Sequence, residues 1–137
     1  MGRLFSIRYA MSTTVLLPPE EIPLLTDTPS FFRRVRLSGV EYVVEFDYHE
    51  RQDRWYFTLR DSAGVVLIAG QRVRSNRVAN EQHVNRTGYP AGLLLFIDTT
   101  PDARLNVGYA DLGTRVKLYY SDVRIEYPTE TEQVVGS

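Results

Sequence analysis

Residues 41–64, EYVVEFDYHERQDRWYFTLRDSAG, decide the fold class. Successive side chains of a strand point to opposite faces, so a half-buried strand writes its core face at every second position. Tyr42, Val44, Phe46 and Tyr48 fall on one face, and Glu41, Glu45 and Asp47 on the other. After the polar segment His49-Glu50-Arg51-Gln52-Asp53, Trp55, Phe57 and Leu59 alternate against Arg54, Thr58 and Arg60. The pattern predicts a hairpin with one apolar face. Asp61-Ser62-Ala63-Gly64 supplies the next turn, because Asp bonds local backbone and Gly accepts positive φ. Val65–Ala69 then reads as a third, more continuously apolar strand, which makes the unit a meander.

Upstream, FFRRVRL precedes Ser38-Gly39, a two-residue loop with Gly second, which suits a primed hairpin turn. That loop sets Arg36 opposite Glu41, Val35 opposite Tyr42 and Phe31 opposite Phe46, a register consistent on both faces. It also places Arg33 on the apolar face, either at its edge or paired. Residues 11–30 hold Pro18, Pro19, Pro23 and Pro29 among Val15, Leu16, Leu17, Ile22, Leu24 and Leu25. Proline rules out an internal helix or a central strand, yet the stretch is too apolar to leave in water. It reads as an extended arm that lays its leucines along a groove, on its own sheet or on a neighbouring subunit.

Downstream, residues 75–92 are polar and end in Gly-Tyr-Pro-Ala-Gly, a length typical of a functional or interface loop. Leu93–Ile97 is continuously apolar and reads as a buried strand. Residues 98–112 form another loop. Thr114–Tyr120 alternates again, Val116, Leu118 and Tyr120 against Arg115, Lys117 and Tyr119, and residues 121–127 continue it or pair with it. No helical period runs for long, so the expected fold is all-β (β-rich). It is a single-domain antiparallel sandwich or small barrel of roughly six to eight strands with an extended N-terminal arm. The expected division is an extension and arm over 1–30, a β domain over 31–127 and a tail over 128–137.

The bulk numbers agree with one domain. The chain has 137 residues, 43% of them hydrophobic. A formal charge of -1 gives no global field for nucleic acid or an anionic membrane, and neither is expected as a partner. The absence of cysteine removes disulfides, thiolate nucleophiles and zinc-thiolate sites. Lys117 is the only lysine among sixteen basic residues. Arginine is favoured at protein interfaces where lysine is depleted, although an arginine-favouring genome explains the bias as well. Residues 1–10 lack an apolar run long enough for a signal peptide or a membrane span, so the protein is expected to stay soluble. Met11 opens a second candidate beginning.

The catalytic inventory is short. His49 sits in the hairpin turn and His83 in the long polar loop, neither with metal-ligand spacing. Asp98, Asp102 and Asp111 share a loop region but not a calcium-loop pattern, and turn chemistry explains them. Glu45 and Asp47 share a strand face, as glycosidase carboxylates do, yet a solvated face explains that pair too. There is no G-x-S-x-G, phosphate loop or G-x-G-x-x-G. Asn85-Arg86-Thr87 matches a glycosylation sequon, which acts only on secreted chains. No catalytic residue, metal or cofactor is expected.

The run L-S-G-V-E-Y, the polar turn, R-W-Y-F-T-L, D-S-A-G and V-L-I-A-G, followed later by G-L-L-L-F-I-D and D-L-G-T-R-V-K-L-Y-Y, resembles the small baseplate plug proteins of contractile-tailed phages. MSTTVLLPP is similar to that family's apolar start, which favours Met11 as the natural beginning. The resemblance spans most of residues 11–121. It implies a non-enzymatic structural subunit of the tail baseplate, present in the virion after assembly in the host cytoplasm. It also implies symmetric copies that contact baseplate, hub or tail-tube proteins and hold the pre-contraction assembly together. The interface candidates are Leu16, Leu17, Ile22 and Leu24 in the arm, and Arg72, Arg74, Arg77 and Tyr89 around the long loop. The alternative is a β-sandwich binding module for carbohydrate or another surface ligand, with Tyr56, Tyr109 and Tyr119 as stacking platforms.

Overall fold

The computed structural model describes residues 13–84, 86–101 and 106–126. The first 12 residues, the 128–137 tail, Asp102 and the sequon's Asn85 lie outside them, as does the choice between Met1 and Met11. Among the described residues ten strands run in chain order: β1 Thr13–Leu16, β2 Glu20–Ile22, β3 Ser30–Leu37, β4 Val40–His49, β5 Arg54–Asp61, β6 Val66–Arg72, β7 Arg77–Val78, β8 Leu93–Asp98, β9 Val116–Ser121 and β10 Val123–Glu126. β3-β4-β5-β6 form one four-stranded antiparallel sheet, β2-β9-β8-β7 a second, and β1 pairs with β10. The sheets pack as a sandwich with open edges. It is the sandwich, not the barrel, of the two expected forms.

The first sheet follows directly from the alternation in residues 31–59. Val35 faces Tyr42, Phe31 faces Phe46 and Arg36 faces Glu41, the expected register. The turn is of the primed kind, with positive φ at Ser38 (52°) and Gly39 (80°). Across β4 and β5, Phe46 meets Phe57, and Val44 meets Leu59. Tyr42, Val44, Phe46, Trp55, Phe57 and Leu59 are all buried. Tyr48 is half-buried; it packs against Trp55 and donates its hydroxyl to Asp53. At the next turn Asp61 Oδ1 accepts the backbone N–H groups of Ala63 and Val65 at 2.9 Å each, and Gly64 takes φ 90°. β6 is an edge strand with irregular pairing to β5, and of its apolar run only Ile68 is fully buried, while Val65 and Val66 are exposed.

The second sheet contributes Val116, Leu118, Tyr120, Leu94 and Phe96 to the same core. Phe96 lies 5.5 Å from Phe57 and 6.1 Å edge-on from Phe46, ring to ring, and joins the two layers. β8 alternates rather than being buried on both faces: Leu94, Phe96 and Asp98 turn inward, and Leu93, Leu95 and Ile97 stay half-buried outside. Its outward residues are as apolar as its inward ones, so the period was hidden. At the far end Tyr120 bonds Ser38 at 2.6 Å and accepts the Gly92 N–H at 2.7 Å, which ties the first hairpin turn to the second sheet. A Cβ at Gly92 would stand 2.2 Å from the Ser121 carbonyl, so the chain needs glycine there.

The arm docks on its own chain. β2 pairs with β9, Ile22 opposite Leu118, as an edge strand, which the flanking prolines permit. One sequence reading is corrected here. Arg115 does not share the outer face of Lys117 and Tyr119 in β9; with 9% exposure it is buried, where Asp98 and Asp111 both pair with its guanidinium.

Candidate functional site

β6 and β7 are the edges of the two sheets, and the chain crosses from one to the other over residues 73–76. Val73 and Ser75 are buried and pin the crossing, and Val73 donates its N–H to the Trp55 carbonyl at 2.8 Å. Alternation therefore leaves Arg72 and Arg74 away from the core. Asn76, at φ 59°, turns the chain so that Arg77 opens β7 opposite Phe96. The result is a seam between the sheet edges, a pocket of about 350 Å³ lined by Arg72, Arg74, Arg77, Gln71, Glu81 and Phe96 among others. Three of the sequence candidates meet there.

The electrostatics of the seam are lopsided. Among the described residues no carboxylate pairs with Arg72, Arg74 or Arg77, although Glu81 stands on the wall. Arg72 Nη2 donates to a neutral acceptor, Asn106 Oδ1, at 3.1 Å, and its Nε is buried without a hydrogen bond. Burial, followed by the nearby charges of Arg54 and Arg74, holds the Arg72 pKa below its ordinary value. A guanidinium is a cation with five donors and no acceptor, so three of them on one wall make the seam a basic recess.

Tyr89 lies apart from this wall. Its hydroxyl donates to the Leu67 carbonyl at 2.9 Å, its ring stacks on His83 at 4.9 Å, and Arg86 sits 5.9 Å above it. The arm candidates also lie elsewhere. Ile22 is buried in the chain's own core, and Leu24 packs against it. Leu17 exchanges hydrogen bonds with the last strands, donating to the Asp122 carbonyl and accepting from Ser121. Leu16 pairs with Val123 in β1, and its side chain lies outside the described residues. A second, smaller recess of about 200 Å³ opens between β2 and β3, where Glu20 and Glu21 stand near Arg33 and Arg36. Arg33 is half-buried at that edge of the apolar face.

The structure gives the remaining candidates local tasks. His49 rests against Tyr56 at 4.4 Å in the hairpin turn. His83 stacks on Tyr89, as above. Among the described residues no three histidines, aspartates or glutamates gather as a metal cluster. Asp98 and Asp111 hold Arg115, and Asp98 is kept below the usual carboxylate range by the Thr100 hydroxyl first and Arg115 among the other causes. Tyr56 lies on the outer face of the first sheet, Tyr119 on that of the second, and Tyr109 stacks on Trp55 at 6.0 Å with its hydroxyl bonded to Asp27. The three tyrosines share no platform. Sequence reasoning missed Asn106: its Oδ1 takes Arg72, its backbone carbonyl takes Arg115 and its amide donates to the Asp53 carbonyl.

The model of the family described as cyanophage baseplate Pam3 plug gp18 matches residues 20–123, from β2 to the start of β10. No curated protein matches the chain.

Proposed function

This chain belongs to the cyanophage baseplate plug family, and from that premise we propose that it acts without catalysis, as a clamp. It is a phage baseplate plug component, located in the virion tail and in contact with other baseplate or tail proteins. The finer reading is that it sits in a contractile tail in symmetric copies near the hub and tube. There it holds the pre-contraction state together by protein contacts. The observation that carries this reading is the seam between β6 and β7, where Arg72, Arg74 and Arg77 converge without a paired acid among the described residues. Arginines at the ends of two sheet edges and on the crossing between them suit an interface anchor, because a planar guanidinium fork loses little freedom per hydrogen bond formed on docking. The arm serves the same purpose indirectly, by completing the second sheet.

The test is removal of the gene from the phage. Particles that lack the chain should show contracted sheaths before any host is added, scored by negative-stain electron microscopy. Particles that stay extended and infective without it would sink the clamp reading.

A further inference from the structure

The β6–β7 seam has a specific chemistry, and the following rests on the docking role given to it above. We propose that the seam receives an Asp or Glu carboxylate on an extended segment of another baseplate protein, seated between Arg72, Arg74 and Arg77. Its wall sets three guanidinium groups against a single acid, Glu81, which pairs with none of them among the described residues. The same fold shows how it satisfies an arginine from within: Arg115 receives two carboxylates, Asp98 and Asp111. Arg72 receives one amide oxygen, and the charges crowding it, Arg54 and Arg74, are of its own sign. Both arginines keep a buried, unbonded Nε, so the difference lies in the acid that each outer face meets.

The shape selects the occupant. At about 350 Å³ the pocket is at the small end of the range that seats a ligand, and its lining is mostly polar, with Arg72, Arg74, Arg77, Gln71, Glu81 and Gln82 beside Phe96, which suits a charged group. Its rims are two sheet edges, the feature that accepts an extended chain. A nucleic acid would require a track of charges along the surface and a favourable overall field. This chain offers a recess and a formal charge of -1.

Zero-length carbodiimide coupling reads the carboxylate directly, since it joins a lysine amine to a touching acid and leaves arginine alone. The chain supplies little background, with Lys117 its only lysine, in β9, two strands away from β7. Particles built with Arg74→Lys or Arg77→Lys should give a new cross-linked peptide that joins that position to an Asp or Glu of a different protein. The triple charge reversal, Arg72→Glu with Arg74→Glu and Arg77→Glu, should fold normally and enter particles roughly tenfold or more less often. Its suppressors should replace that same acid with Lys or Arg.

A lysine variant that enters particles yet couples only to Glu81, or to nothing, overturns the proposal. So does a short DNA duplex that binds the isolated chain and is lost on charge reversal. If neither lysine variant enters particles, the suppressors decide: an acid-to-base change on a partner supports the carboxylate, and its absence refutes it. Gene removal reports on the clamp alone, so the two readings can fail separately.

Discussion

Arg115 and Arg72 share Asn106, whose backbone carbonyl accepts Arg115 Nη2 at 2.9 Å and whose side-chain oxygen accepts Arg72 Nη2 at 3.1 Å. On one side of that residue the charge is closed. Arg115 has Asp98 and Asp111 on its guanidinium, and its pKa is held above the ordinary value by the Asp111 hydrogen bond first. The tight turn after Leu112 makes this possible: Gly113 at φ 87° donates to the Val116 carbonyl, while Asp111 Oδ2 accepts the Gly108 N–H at 2.7 Å and faces Arg115. On the other side the charge is open. Arg72 faces a pocket and two more arginines. Two arginines that bond the same asparagine thus differ in their acids: among the described residues Arg115 has two and Arg72 has none. The charge that the core needs is matched from within, and on the docking role proposed above the seam's charges are the ones kept for contact.

The largest effect expected is at Arg115. Arg115→Met leaves the buried Asp98 carboxylate without its cation, the costly way to break an ion pair. The melting temperature should fall by roughly 10 °C or more, measured by calorimetry. Arg72→Met removes a charge among like charges, so the isolated chain should melt within about 3 °C of the parent. If the two variants lost equal stability, Arg72 would also be a structural residue and the contrast would collapse.

Acid sharpens the same contrast. The folded pKa of Asp98 is depressed, with the Thr100 bonds and Arg115 as its favourable causes. Its contribution is therefore present above the unfolded value of about 3.8 and is lost as pH falls through the lower folded value. Urea midpoints should drop as pH falls from about 4 downward, and Asp98→Asn should flatten that slope, being weaker at neutral pH. Arg72→Met should leave the slope as in the parent, because among the described residues no carboxylate pairs with Arg72.

The sequence made the first sheet legible and the arginine network mostly illegible, for one physical reason. Alternation is a local signal, and the Ser38-Gly39 turn converts it into a register, so Phe31, Val35, Phe46 and Phe57 could be placed with their partners. The same rule misassigned Arg115 to the polar face, since it sees neither the turn at Gly113 nor Asp98, 17 residues away. The short strands β2, β7 and β10 carry too few residues to show a period, so the arm's pairing with β9 could not be told from docking on a neighbour. At the seam, Arg72, Arg74 and Arg77 were visible as a cluster in sequence. Their link to Asn106, 34 residues downstream of Arg72, was not.

Asn106 itself provides the smallest and most selective change. Asn106→Ala keeps the backbone carbonyl that serves Arg115 and deletes only the side-chain oxygen that serves Arg72 and the amide bond to the Asp53 carbonyl. Asn106 is exposed, so losing these bonds should cost no more than about 1 kcal/mol in a denaturant melt. Arg72 Nη2 would then lose the acceptor it has among the described residues. Entry into particles should fall less than for charge reversal, since the charge remains and only its aim is loosened. A stability loss as large as that of Arg115→Met would mean that Asn106 holds the whole loop, and that the closed and open arginines are one structural unit rather than two.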